Sequence, residues 1–85
     1  MENIIFDDNT NNTIGFYKDL VKAMKEETKK SVESGAYEQA QYNCEGLLEL
    51  ESMKDYEGLI VLSENNGMGF TAKTYEQVMK EKENK

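Results

Sequence analysis

The sequence predicts an α+β fold in one small domain, residues 1–85. The expected order is a short N-terminal strand, an antiparallel two-helix hairpin, a β-hairpin and a short C-terminal helix, with a three-stranded sheet packed on the helices. Three observations carry that prediction. Apolar residues recur at helical spacing on either side of Gly35, residues 58–62 form an almost unbroken apolar run, and Asn65-Asn66-Gly67 follows as a turn signal.

Asn3-Ile4-Ile5-Phe6 reads as the first strand, apolar and β-branched, ended by Asp7-Asp8. Residues 7–13 read as a polar loop whose side chains bond local backbone, with Thr13 or an Asn before it capping a helix. That helix is predicted over Ile14–Ser34, because Ile14, Tyr17, Leu20, Val21 and Met24 share one face and Thr28 and Val32 continue it. Lys18, Lys22, Lys25, Lys29 and Lys30 occupy its other surface. Gly35 ends it as a left-handed cap, and so short a break folds the next helix back antiparallel.

The stretch from Gly35 to Met53 is the clearest signal in the chain. Tyr37, Ala40, Cys44, Leu47, Leu48 and Glu51 define one helix face, apolar except in its last turn, which is expected to turn inward. Glu38, Glu45 and Glu49 define a second face, with Tyr42 between Glu38 and Glu45. A rise of 1.5 Å per residue places Glu45 and Glu49 about 6 Å apart and Glu38 about 10 Å further back. The helix is expected to stop near residues 53–55, ahead of Gly58.

Gly58 to Ser63 reads as a strand apolar on both faces, which is the pattern of an inner position. Asn66-Gly67 tolerates the positive φ of a type I′ turn. Pairing across it puts Leu59, Val61, Met68, Phe70 and Ala72 on one side and Ile60, Leu62 and Thr71 on the other, with residues 3–6 as the third strand. Thr74-Tyr75-Glu76-Gln77 has the spacing of a capping box, so the last helix starts there and presents Tyr75, Val78 and Met79, while residues 81–85 fray.

Length and composition bound the function. A chain this short buries about 60–65% of its unfolded surface, enough for one modest core and not for a deep catalytic cleft as well. Val32, Ile60, Leu62 and Met79 exceed what such a core is expected to hide. Cys44 is the only cysteine, so no disulfide forms within the chain, which fits a reducing compartment. The first eight residues lack a basic region, and the longest apolar run, Leu59 to Leu62, is far short of a membrane span. A cytoplasmic protein is expected.

The net charge is −7 and unevenly spread. Residues 31–64 hold eight acids against Lys54 alone, whereas residues 1–30 and 65–85 are close to balanced. Such a field repels nucleic acid and anionic membrane and attracts basic protein surfaces. Ten lysines without an arginine, together with eight asparagines, are what an AT-rich coding sequence produces, pointing to a low-GC bacterium or its phages.

No motif supplies catalytic chemistry. Asp7, Asn9 and Asn11 copy the opening ligands of a calcium loop, but Asn12 stands where the turn glycine belongs and Lys18 where the bidentate Glu belongs. A solvated loop capping the first helix is the stronger reading. Gly67-Met68-Gly69 follows a hairpin turn and lacks the third glycine of a phosphate loop. Cys44 has no histidine in the chain to act as its base and reads as a small core residue. Asp7/Asp8 and Glu49/Glu51 have no apolar pocket to split their pKa values. No catalytic residue, cofactor or metal site is assigned, and the chain is expected not to be an enzyme.

Two resemblances bear on this. Gly35 to Ala40 followed by Leu47-Leu48-Glu49-Leu50 resembles the second helix of a tetratricopeptide repeat, but the preceding helix departs from that pattern at Met24, Glu27, Thr28 and Ser31. The likeness implies helix-hairpin packing and nothing further. Small size, acidity, AT-rich composition and missing catalytic chemistry together resemble the small phage-encoded inhibitors of host nucleic-acid enzymes, of which anti-CRISPR proteins are the best-known class. That likeness is one of type, and no family residues are carried over.

It implies a protein acting in the host cytoplasm on a basic surface of a nuclease or CRISPR-type complex, without touching nucleic acid or membrane itself. Glu38, Tyr42, Glu45 and Glu49 are the candidate contact residues, widened by Asp55 and Glu57. Their spacing is comparable with that of phosphates along a nucleic-acid strand, so a rigid helix carrying them fits a groove lined by lysine and arginine. The alternative is a small homo-oligomeric regulatory or structural module, for example a homodimer, in which acidity serves solubility alone.

Overall fold

The computed structural model describes residues 4–84. Among them the order is β1 (Ile5–Asp7), β2 (Asn12–Phe16), α1 (Tyr17–Glu33), α2 (Tyr37–Glu51), β3 (Leu59–Glu64), β4 (Phe70–Thr74) and α3 (Tyr75–Glu83). The fold is α+β, with three helices and one antiparallel sheet among the described residues. That sheet has four strands in the order β1-β2-β3-β4, not three.

The additional strand, β2, lies in residues read above as loop and helix start. Asp7 makes the difference. Its Oδ1 accepts the N–H of Asn9 at 3.0 Å and its Oδ2 accepts the Thr10 hydroxyl at 2.9 Å. With Asn11 at φ 54°, the chain reverses and returns along β1, pairing Ile5 with Ile14 and Phe6 with Thr13. Residues 7–11 therefore close a β-hairpin and do not cap a helix. Thr13 is a strand residue, and α1 begins at Tyr17 behind Phe16, which makes no side-chain cap bond. The expected start of the first strand at Asn3 lies outside the described residues.

Local signals place the next elements well. At the end of α1 the N–H of Gly35 bonds the carbonyl of Val32 at 3.1 Å and that of Ala36 bonds Ser31 at 2.8 Å, the paired bonds of a Schellman ending. The antiparallel hairpin α1–α2 follows directly. β3 is the inner strand between β2 and β4, with Ile60, Val61 and Leu62 buried. Thr74 caps α3 in a complete capping box with Gln77.

The β3–β4 pairing differs from expectation by one residue. Asn66 and Gly67 have φ of 52° and 82°, and Met68 N–H closes the turn onto the Asn65 carbonyl at 3.0 Å. Gly69, at φ 113°, then adds a residue on the returning limb, where its carbonyl accepts from Asn65 N–H at 2.9 Å. Leu62 therefore faces Ala72, and Glu64 faces Phe70. A one-residue slip exchanges the two faces of a strand. Phe70 and Ala72 join Ile60 and Leu62 on the helix side, while Lys73 shares the other side with Val61; Met68 points into solvent.

Leu20, Leu50, Ile60 and Leu62 form the centre between helices and sheet. Enclosing each of these side chains contributes about 1.5–3 kcal/mol. Val61 is buried on the opposite face, which α3 crosses, tied down by a 2.9 Å ion pair between Lys73 and Glu81. Ile60 and Leu62 thus fit within the core after all, Met79 is half-buried, and Val32 is exposed.

Candidate protein-binding surface

Helix α2 carries most of the candidate residues, and its rotation decides what they can touch. The sequence turns Tyr37, Ala40, Cys44, Leu47 and Leu48 inward. The structure instead buries Ala40, Asn43, Gly46 and Leu50, with Leu47 half-buried. Tyr37 is 68% exposed and Leu48 73%, and the Cys44 thiol is exposed and not a core residue.

Gly46 explains the rotation. A Cβ at that position would sit 3.0 Å from the Met24 methyl and 3.0 Å from the Phe70 ring. The missing side chain lets α1 and β4 close onto α2 on this side, and it fixes which face turns inward.

The acidic stripe divides as a result. Glu49 accepts the main-chain N–H of Ala72 at 3.1 Å, and the Tyr42 hydroxyl donates to the Gly69 carbonyl at 3.0 Å. The Tyr42 ring packs on Phe70 with centroids 4.7 Å apart. These two residues turn to β4, whose outer edge α2 thereby covers. The next outward N–H along that edge, Thr74, is taken by Gln77. Tyr42 and Glu49 consequently serve the fold.

Glu38 and Glu45 remain exposed and have no lysine partner within ion-pair distance among the described residues. With Tyr37, Gln41 and Leu48 they form the outward side of α2. Glu51 lies within 3.8 Å of Lys54, an exposed pair of little energetic weight. Asp55 and Glu57 are exposed on the α2–β3 connection, beyond the C-terminal end of the helix, and do not continue the side that Glu38 starts.

Two phenols near that connection are perturbed. Burial, then the charge and hydrogen bonding of Glu51, raises the Tyr17 hydroxyl above its usual value. Tyr56 is likewise raised by burial and by Glu76, to which it donates at 3.2 Å, linking the connection to α3.

A second feature has no counterpart in the sequence reading. Residues of α1 and α2 and of strands β1, β2 and β3 face one another across an open space. Between them runs a groove of about 490 Å³. Phe6, Leu20, Met24 and Leu62 make it apolar, and Glu27 and Glu64 stand at its exposed rim. Asn43, only 6% exposed, is the buried polar residue of the described chain and lines this groove. Its Oδ1 accepts from Gln39 Nε2 at 3.0 Å. The signal that could have found it is a lone amide between Ala40 and Gly46, on a face whose other members are small or apolar.

Among the described residues no group of three or more acidic or cysteine side chains is arranged to hold a metal ion, and no helix is long and apolar enough to cross a membrane. The chain matches no protein-family model, and the comparisons with curated proteins and with solved structures found no match.

Proposed function

We propose that the chain is a non-catalytic acidic module that binds a basic surface of another protein. The surface it covers is one that a nuclease or CRISPR-type complex uses to hold nucleic acid, so that binding inhibits the enzyme. One observation carries the reading: the outward side of α2 sets Glu38 and Glu45, neither paired with a described lysine, around exposed Tyr37, Gln41 and Leu48. An aromatic and an aliphatic anchor bordered by charge is the composition of a protein interface. The net charge of −7 steers such a face toward cationic partners and makes association salt-sensitive.

The test is capture from a low-GC bacterial lysate on the immobilised chain, at low and high salt, with wild type and a Glu38→Lys/Glu45→Lys variant. The variant is expected to keep its circular dichroism spectrum and lose the captured protein, and added DNA should compete with the chain for it. Capture that survives charge reversal and high salt overturns the reading.

The second reading, a homo-oligomeric module, is favoured by Ile5 and Phe16, which stand exposed on the outer face of the sheet beside half-buried Ile14. Light scattering separates the two. A dimer insensitive to salt and abolished by Ile5→Ser supports the module, and a monomer supports the inhibitor.

A further inference from the structure

We propose that the outer side of the α1–α2 hairpin, away from the sheet, is a self-association surface covered by a second copy of this chain. The inference rests on reading the outward side of α2 as a protein-binding surface. It adds a control on that surface: the chain meets a basic target only once the two copies separate.

The hairpin leaves outside a stripe that helical spacing marks for a core. Tyr37 is 68% exposed, Leu48 73% and Val32 49%. On this side a groove of about 270 Å³ is lined by residues of the two helices alone. Tyr17, Val21, Leu47 and Leu48 make it apolar, with exposed Lys25 on the α1 rim and exposed Glu51 on the α2 rim.

Charge identifies the occupant. Helix α2 holds Glu38, Glu45, Glu49 and Glu51 and no base. On α1, Lys18, Lys22, Lys25 and Lys29 recur at i, i+4, i+7 and i+11, which is one side of a helix, and all four are exposed. Among the described residues no acid lies within ion-pair distance of them. One helix of the hairpin is thus cationic outside, the other anionic, and apolar side chains lie between. Such a surface is complementary to a second copy of itself.

Symmetry selects the arrangement. A two-fold axis parallel to the helices lays α1 of one copy antiparallel on α2 of the other, lysines against glutamates. A two-fold axis across the helices lays like on like and is repulsive. The hairpin turns at Gly35, so residues equally far from it in sequence share a level, as Lys25 and Glu45 do. An axis parallel to the helices preserves levels, so Lys25 of each copy meets Glu45 of the other.

Helix α1 spans about 25 Å and two helices side by side about 20 Å, so the pair encloses about 1,000 Å² in total. That is the low end of specific interfaces. The pair therefore forms at high concentration and gives way to a tighter partner.

The test is sedimentation velocity over a concentration series, with wild type, Lys25→Glu, Glu45→Lys and Leu48→Ser. Wild type should pass from monomer to dimer as concentration rises, about tenfold more weakly at high salt. Each variant should keep its circular dichroism spectrum and associate at least about tenfold more weakly. An equimolar mixture of the Lys25→Glu and Glu45→Lys chains should associate as wild type does, because both cross-pairs are then opposite in charge. A misfolded variant could not produce that rescue.

A wild type that stays monomeric throughout overturns the proposal, as does a dimer indifferent to the charge variants or a mixture that fails to associate. A dimer abolished by Ile5→Ser but not by Leu48→Ser places the contact on the sheet and overturns it too. Salt-sensitive lysate capture by a chain that never dimerises removes only this inference. The expected dimer without any captured protein removes only the inhibitor reading.

Discussion

The carboxylate of Glu49, on α2, accepts the main-chain N–H of Ala72, on β4, at 3.1 Å. An acidic side chain that would otherwise be a solvated charge thereby substitutes for a fifth strand. Glu49→Ala leaves that N–H without its partner and should lower stability by about 1–2 kcal/mol, whereas Glu49→Gln keeps an acceptor and should lose less than half as much. Urea denaturation followed by circular dichroism measures both. Equal losses in the two variants would show that charge, and not the hydrogen bond, matters at this site.

Gly46 sits where α1 and β4 meet α2, and an added methyl would press on Met24 and on the Phe70 ring. Alanine contributes about 1 kcal/mol in helix propensity, but overpacking costs about 1–3 kcal/mol. A net loss of about 1 kcal/mol is expected for Gly46→Ala. In a double-mutant cycle, Phe70→Leu should recover part of it, because the crowded ring is then gone.

The hydroxyls of Tyr17 and Tyr56 both titrate above the usual 10.0 in the folded chain. Each phenol holds its proton more tightly folded than unfolded. The stabilisation is therefore complete below pH 10 and is lost as pH rises through the folded-state values. Denaturation midpoints should hold approaching pH 10 and fall beyond it. Tyr56→Phe should flatten part of that fall relative to wild type, and an unchanged slope would remove Tyr56 as a cause.

Cys44 is exposed on α2. A thiol-specific disulfide reagent in native buffer should modify one equivalent, at a rate within about tenfold of that in denaturant. A rate a hundredfold slower would mean the thiol is enclosed and α2 is rotated from the position described.

Local signals were legible in the sequence. The Gly35 ending, the Asn66-Gly67 turn, the Thr74–Gln77 cap and the inner strand at Ile60 to Leu62 each depend on residues within a few positions of one another. β2 was not legible, because Ile14 fits a helix face with Tyr17 and Leu20 equally well. Only its alignment between β1 and β3 makes it a strand.

The orientation of α2 was hidden for a related reason. Leu47 and Leu50 share one side of the helix and Leu48 points away from it, and the small volume of Gly46 settles which side is enclosed. For the candidate surface, sequence identified the carboxylates but not which of them the fold itself employs. Glu38 and Glu49 look alike until the edge of β4 is placed beside one of them.

That edge has a consequence for self-assembly. Glu49, Gln77 and Tyr42 seal one margin of the sheet, while β1 at the other margin has no neighbour beyond it among the described residues. Two copies can join margin to margin through β1, but the pair then offers no second attachment point of the same kind. Any lateral growth of this sheet would thus stop at twins and not reach ribbons, because it terminates itself after a single step.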